Sequence, residues 1–226
     1  MRSVVLLSAG LDSSVGLAWA VEQGEVALAL TFDYGQRSAA QEVRHARELA
    51  LRFGVPHRVV ELPFLAEITD TALVNRDAAV PEPRTEALDA PAATQTARAV
   101  WVPNRNGVFV NVAGAFAEAL GAEQVVAGFN AEEGSTFPDN SVAYVTAADA
   151  ALTLSTWQGV RLVAPLSGMR KDRIVELALA RGIGMGSLWS CYHGGERMCG
   201  RCESCRRLRR ALEECGRGEL WSGETG

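Results

Sequence analysis

Val4-Val5-Leu6-Leu7-Ser8-Ala9-Gly10-Leu11-Asp12-Ser13-Ser14 passes from an apolar run into small and hydroxylated residues, and a helical pattern follows at once. The stretch reads as a strand, a tight turn and a helix N-terminus. Unpaired N–H groups and a positive dipole end suit such a terminus to a phosphate. Gly10 has no Cβ to block a close backbone approach. Ser8, Ser13 and Ser14 add hydroxyl donors to the same anion. Asp12 does not attract phosphate directly; it suits either a helix cap or a metal riding on the phosphates. Neither G-x-x-x-x-G-K-[ST] nor G-x-G-x-x-G is present. A plain Gly/Ser turn capping a buried helix is the alternative reading.

Strand-like and helix-like segments alternate outward from that stretch. Residues 26–32 form a continuous apolar run, the pattern of a strand buried on both faces. Residues 39–53 show helical spacing at Val43, Ala46, Ala50 and Phe53 and stop at Gly54. A third strand is expected over 58–62, a small-residue helix over 107–120, a short strand over 124–127, a helix over 140–156, a strand over 160–164 and a helix over 171–181. This alternation predicts an α/β fold, a parallel sheet with helices on both faces and ligands beyond the carboxyl ends of its strands. Residues 75–96 break the rhythm, with Pro81, Pro83 and Pro91 and no surviving period. That segment reads as a mobile loop, either an active-site lid or a simple excursion.

The 226 residues allow one large domain, or one domain with an appendage. We expect an α/β domain over 1–186 and a tail over 187–226 packed on it. A net charge of −5 argues against a general nucleic-acid binder, so no stable nucleic-acid partner is expected. No apolar run approaches a membrane span. The N-terminal residues show no signal-peptide pattern, and a cytoplasmic location is expected. All five cysteines lie at 191 or beyond, and in that compartment they read as metal ligands rather than disulfides.

Cys191, Cys199, Cys202 and Cys205 are spaced C-x7-C-x2-C-x2-C. Four thiolates about 2.3 Å from one Zn²⁺ make a closed, structural tetrahedral site with no open catalytic position. Cys215 reads as a free thiol. Arg206, Arg207, Arg209 and Arg210 read as a solvated helix face, with a nucleic-acid docking surface as the less favoured option.

Several polar motifs follow strands. Asp33-Tyr34-Gly35-Gln36 offers a stacking ring and an amide for a flat heterocycle, or a β-turn with a core Tyr. In Val102-Pro103-Asn104-Arg105-Asn106, either Asn can cap the next helix, and Arg105 presents a planar fork for carboxylate or phosphate. Asn130 and Glu132 lie in Gly128-Phe129-Asn130-Ala131-Glu132-Glu133, and Phe137 and Asp139 in Thr136-Phe137-Pro138-Asp139-Asn140-Ser141. Asp139 or Asn140 could serve only as a helix N-cap. Lys171 either reaches phosphates or is a surface lysine at a helix start.

Ser8-Ala9-Gly10-Leu11-Asp12-Ser13 resembles the Ser-Gly-Gly-x-Asp-Ser loop of the PP-loop ATP pyrophosphatase superfamily, with Ala9 in place of the usual Gly. A negative φ at Ala9 would accommodate the change. Across the whole chain, the order of Ser-x-Gly-x-Asp-Ser, Asp-Tyr-Gly-Gln, Gly-x-Asn-x-Glu, Phe-Pro-Asp, Pro165-Leu166 with Lys171, Trp189-Ser190-Cys191-Tyr192 and Cys199-Gly200-Arg201-Cys202-Glu203-Ser204-Cys205 resembles the 7-cyano-7-deazaguanine synthase family. The best-known bacterial pattern has Pro-Asp-Cys-Arg where this chain has Pro138-Asp139-Asn140-Ser141, which is similar to a second branch of that family.

The resemblance implies a Rossmann-like, adenine nucleotide alpha hydrolase-like sheet with a small C-terminal zinc knuckle. It implies conversion of 7-carboxy-7-deazaguanine and ammonia to the nitrile with ATP, for queuosine, archaeosine or deazapurine products. It also implies one structural Zn²⁺ per subunit on the four cysteines, Mg²⁺ with ATP, and a homodimer. Leu7, Ser8, Ala9, Gly10, Leu11, Asp12, Ser13 and Ser14 would then hold ATP. Asp12, Arg105 and Lys171 would be catalytic, with no Ser or Cys nucleophile. Tyr34, Gln36, Asn104, Arg105, Asn130, Glu132, Phe137 and Asp139 would meet the deazapurine. Another PP-loop ligase, a tRNA-modifying enzyme or a zinc-ribbon binding module are the competing readings.

Overall fold

The computed structural model describes residues 1–88 and 93–224, without the side chains of 93–95. Five parallel strands form one sheet in the order β3-β2-β1-β4-β5. They are β1 (Arg2–Leu6), β2 (Glu25–Asp33), β3 (His57–Glu61), β4 (Gln124–Val126) and β5 (Arg161–Val163). The helices are α1 (Leu11–Gln23), α2 (Ala39–Arg52), α3 (Phe64–Glu67), α4 (Ala93–Ala99), α5 (Arg105–Ala119), α6 (Ala131–Gly134), α7 (Val142–Ser155), α8 (Lys171–Ala180) and α9 (Glu203–Glu214).

Alternation along β1 assigns its side chains to two cores. Val5 packs with Val15, Leu49, Ile174 and Leu212, which places α1, α2, α8 and α9 over one face. Val4 packs with Leu30, Val110, Ala113 and Leu152, which places α5 and α7 over the other. Leu30 and Leu17 are fully buried, each such burial contributing about 1.5–3 kcal/mol. The four cysteines at 191, 199, 202 and 205 belong to the same apolar cluster as Leu7 and Val15, so the tail is continuous with the main core.

Strand order reverses beside β1. From β1 the chain steps outward through β2 and β3, then returns to lay β4 on the other flank. Crossovers leave opposite faces at this point, and a crevice opens between the carboxyl ends of β1 and β4. The start of α1 and Gly128, just beyond β4, close on each other there. A Cβ built on Gly128 would lie 2.6 Å from Ser13 N and 2.7 Å from the Asp12 carbonyl carbon.

Two expectations need correction. Residues 75–88 are tied down rather than loose. Leu88 is buried and its carbonyl accepts from Arg207 Nη2 at 2.7 Å, while Glu82 pairs with Arg201 at 3.2 Å. The segment's end is helical from Ala93, and Pro91 lies outside the described residues. The helix expected from residue 140 starts at Val142, because Pro138–Asn140 forms a 3₁₀ turn and Ser141 caps the helix, its Oγ accepting from Tyr144 N at 3.1 Å. Ser141, not Asp139 or Asn140, is that N-cap.

Candidate functional site

The loop after β1 folds on itself through its hydroxyls. Ser13 Oγ accepts from Ser8 N at 3.2 Å and sits 3.1 Å from Ser8 Oγ. Ser14 Oγ donates to the Gly10 carbonyl at 2.8 Å. Gly10 occupies the N-cap of α1 with extended backbone and no side-chain cap, so Asp12 is not a cap. The N–H groups of Leu11, Asp12 and Ser13 lie in the first turn and have no intrahelical acceptor. Ala9 lies at φ 62, not at the negative φ that would accommodate an alanine without strain. The left-handed backbone there costs a non-glycine residue roughly 1–2 kcal/mol. Its burial and the hydrogen bond from Trp189 N to its carbonyl, 2.9 Å, hold it in place.

Lys171 is no surface lysine. Its side chain is 8% exposed, and Nζ lies 2.7 Å from both Asp12 Oδ2 and Glu133 Oε1. Burial opposes the ammonium charge, but Asp12 and Glu133 outweigh it and hold Lys171 well above its ordinary value. Burial raises the Asp12 carboxyl against the pull of Lys171. Burial also acts on Glu133, yet Lys171 leaves that carboxyl below its ordinary value. Asp12 Oδ1 is buried with no hydrogen-bond partner. A buried, unpartnered carboxylate oxygen beside a second carboxylate fits a hard divalent cation.

The loop and Lys171 line one end of a cleft of about 250 Å³. At the other end, Arg105 Nη1 donates to Tyr34 Oη at 3.1 Å, and the Arg105 guanidinium carbon lies 5.8 Å from the ring centroids of both Tyr34 and Phe109. Burial opposes the Arg105 charge, while Tyr34, Asp139 and Glu42 hold the guanidinium protonated. Burial pushes the Asp139 carboxyl up, partly countered by Arg105 and by the Asn106 N–H at 3.4 Å. Trp101 and Phe137 stand nearly parallel, 8° apart with centroids at 6.3 Å. Tyr34 is therefore both a core side chain, packed on Leu65 and Val102, and a wall of the cleft.

The cleft brings together Leu7, Ser8, Gly10, Leu11, Asp12, Ser13, Tyr34, Arg105, Phe137, Asp139 and Lys171. Other expected residues sit behind it. Ala9 and Ser14 support the loop from inside. Gln36 is buried, donating to the Phe32 carbonyl at 3.0 Å and accepting from Tyr34 N at 2.9 Å. Asn130 is buried as the N-cap of α6, accepting from Glu133 N at 3.0 Å. Asn104 is exposed in left-handed backbone, where neither it nor Asn106 caps α5 with its side chain. Glu132, expected on the deazapurine, instead accepts from Lys171 N at 2.9 Å and from Arg210 Nη2 at 2.8 Å. Glu42, Trp101, Phe109, Glu133 and Tyr192 line the cleft without having been expected there, as does Asn106, read only as a helix cap. Glu133 follows Glu132 directly, and Phe109 lies one turn after Arg105 on the same helix face, so both were within reach of a helical reading.

The cysteine Sγ atoms lie within 4.8 Å of one another, with Cys199 and Cys205 at 4.0 Å. Tetrahedral zinc with about 2.3 Å bonds needs sulfur pairs about 3.8 Å apart. Backbone N–H groups of His193 and Cys199 point at Cys191 Sγ (3.3 and 3.4 Å), and those of Arg201 and Cys202 at Cys199 Sγ (3.4 and 3.3 Å). This donor set fits a metal ion held by thiolates. Of the arginines that follow, Arg209 is 41% exposed, as on a solvated face, but Arg207 is buried against Glu203 and Arg210 is only 16% exposed. Cys215 is an unpaired thiol that donates to the Asp172 carbonyl at 3.0 Å.

A parallel sheet with a Ser-rich loop and a helix N-terminus at its switch point, a buried Asp–Lys–Glu group and an aromatic far wall define an α/β enzyme of the PP-loop type. Among solved structures, NMN synthetase from Francisella tularensis aligns with a TM-score of 0.50 at 17% identity, over 99% of this chain and 88% of that one. The predicted subunit of tRNA methyltransferase from Methanocaldococcus jannaschii aligns with a TM-score of 0.50 at 17% identity, over 100% and 93%. Both are likenesses of fold. A family model described as Queuosine biosynthesis protein QueC matches residues 2–216. A 7-cyano-7-deazaguanine synthase of Pelotomaculum thermopropionicum is 52% identical over 217 residues, 96% of this chain and 98% of the relative. That of Methanosarcina mazei is 48% identical over 220 residues, 96% and 95%. The chain belongs to the QueC family.

Proposed function

We propose that this chain is an ATP-dependent carbon–nitrogen ligase that converts 7-carboxy-7-deazaguanine and ammonia to 7-cyano-7-deazaguanine. The observation that carries the reading is the single cleft that joins a phosphate loop to an aromatic, arginine-bearing wall. A carboxylate resists nucleophiles because its charge repels them and oxide leaves poorly. Attack of its oxygen on the α-phosphorus of ATP releases pyrophosphate and gives an acyl adenylate. Ammonia displaces AMP to give the amide. A second adenylation, on the amide oxygen, allows loss of AMP and protons to the nitrile.

In this reading the first-turn N–H groups of α1, with Ser8 and Ser13, bind the pyrophosphate. Lys171 offsets charge on the departing phosphates, and Arg105 holds the substrate carboxylate in line. Tyr34, Phe137 and Asp139 seat the deazapurine. Asp12 and Glu133 would hold Mg²⁺, which supplies charge neutralisation on pyrophosphate when bound. Cys191, Cys199, Cys202 and Cys205 would hold Zn²⁺, which supplies cross-linking of the tail and no step of the reaction. The tail from residue 187 thus acts as a buttress on the 1–186 domain.

Among the described residues no helix is long and apolar enough to cross a membrane. A cytoplasmic setting accords with five unpaired cysteines. A homodimer is supported by exposed apolar side chains on and after α7, with Leu154 88% exposed and Trp157 fully so.

The test is mass spectrometry of a reaction holding the protein, ATP, Mg²⁺, ammonium and 7-carboxy-7-deazaguanine. An ATP-dependent nitrile is expected. A folded, metal-loaded protein that yields neither nitrile nor amide would overturn the reading.

A further inference from the structure

A chain of buried charges joins the cysteine tail to the phosphate loop, and the chemistry of the cleft does not account for it. Glu203, between ligand-spaced Cys202 and Cys205, is 2% exposed. Its Oε1 accepts from Arg207 Nε at 3.0 Å and Nη2 at 2.9 Å. Arg207 Nη1 lies 3.8 Å from Glu132 Oε2, and Arg210 Nη2 donates to that oxygen at 2.8 Å. The other oxygen of Glu132 accepts the backbone N–H of Lys171 at 2.9 Å. Lys171 opens α8, so this N–H has no acceptor within its own helix. Glu132 thus fills the helix terminus, on the side the macrodipole favours, and clamps it to α9.

We propose that Glu132 is a positioning residue: it fixes the start of α8 against α9 so that Lys171 Nζ stays between Asp12 and Glu133. The inference rests on Lys171 acting at the phosphates as proposed above. The lysine crosses to the loop on a flexible four-carbon stem from one backbone point. A shift of that point moves Nζ with it, and misplacement by about 1 Å is enough to cost on the order of 100-fold in rate. Arg207 and Arg210 gather round the Glu132 carboxylate because two guanidiniums side by side need a shared anion. The tail metal site, through Glu203 and Arg207, therefore sets the geometry at the phosphates from behind.

The experiment compares kcat, KM and bound metal for the wild type, Glu132→Ala, Glu132→Gln, Lys171→Ala and the Glu132→Ala/Lys171→Ala double variant. Glu132→Ala is expected to lower kcat by about 10–100-fold with little change in the KM for the deazapurine and full metal content. Glu132→Gln keeps an oxygen for the Lys171 N–H but not the anion shared by Arg207 and Arg210, and is expected to recover only part of that loss. In the Lys171→Ala background, Glu132→Ala should cost less than about twofold more. A Glu132→Ala enzyme within twofold of wild type, or losses that multiply in the double variant, would overturn the proposal. Should Glu132→Ala not fold, Glu132→Asp keeps the charge but withdraws the acceptor by one methylene. It is then expected to fall below Glu132→Gln, and the reverse order overturns the proposal. Should the wild type make no nitrile, the ligase reading fails, and the thermal shift induced by Mg-ATP carries the same comparison among the variants.

Discussion

At its loop end the cleft is lined mainly by one stretch, residues 6–13 without Ala9, joined by Gly128, Glu133 and Lys171, while the opposite end collects Tyr34, Trp101, Arg105, Phe109, Phe137 and Asp139 from three separate segments. The first end presents backbone N–H groups that any sequence compatible with the turn would present. Side-chain charge enters there only through Asp12, Glu133 and Lys171. The second end works through side chains alone, ring against ring, with Arg105 lodged between Tyr34 and Phe109. A substitution at the phosphate end therefore acts on backbone path or charge balance. One at the aromatic end acts on a local contact surface. The two should be separable by stability and by which substrate's KM moves.

The largest effect is expected from Lys171→Ala. It leaves Asp12 and Glu133 facing each other without their cation, and breaking a buried pair in this way costs about 3–5 kcal/mol. Denaturant unfolding measures this, and turnover should fall steeply with it while staying measurable. A loss below about 1 kcal/mol would mean that water or bound cation already balances the carboxylates. Gly128→Ala comes next. Its methyl has no space against Ser13 N and the Asp12 carbonyl carbon, and forcing such an overlap costs about 1–3 kcal/mol. ATP binding should weaken while deazapurine binding persists, as read by calorimetry with each ligand. Equal weakening of both would show that the two ends move as one body.

Phe137→Ala tests the aromatic end. Loss of one stacking ring is worth about 1–3 kcal/mol per base, so the KM for the deazapurine should rise about 10–100-fold with the KM for ATP nearly unchanged. A rise in the ATP term instead would put adenine, not the deazapurine, against that ring. Ala9→Gly is the smallest. It relieves roughly 1–2 kcal/mol of left-handed strain but removes a buried methyl worth about 0.8 kcal/mol and frees the unfolded chain by about 0.4–1 kcal/mol. Thermal melts should place it within about 1 kcal/mol of wild type. A destabilisation beyond 2 kcal/mol, well past that estimate, would make packing at Ala9 more important than its backbone.

Local pattern was enough for much of the fold. The continuous apolar run that became β2 and the small-residue run that became α5 are each legible within a dozen residues, since burial and helical period act at that range. The loop after β1 was legible for the same reason: strand, turn and helix start are consecutive. The four cysteines were legible through spacing alone. The left-handed backbone of Ala9 was not legible because φ follows from the turn it closes and from Trp189, 180 positions away in the chain, whose N–H holds its carbonyl. Asn104 and Glu132 were assigned to the substrate on proximity to a motif. A neighbour in sequence can face away from its neighbour's ligand, as Glu132 does when it turns to Arg210 and Glu133 does not.

The sequence by itself determined the alternation of strands and helices, the strand–turn–helix start at 4–14 and the four-cysteine spacing, because each depends on residues close together along the chain. Only the tertiary structure decided that Lys171 is buried between Asp12 and Glu133, that Arg207 lies inside the molecule, and that Trp101 faces Phe137. Those are encounters between residues brought from distant segments by the β1–β4 reversal and by the packing of α9 on α8. Burial, which sets the strength of every charge in them, is a property of the assembled core and not of any one stretch of chain.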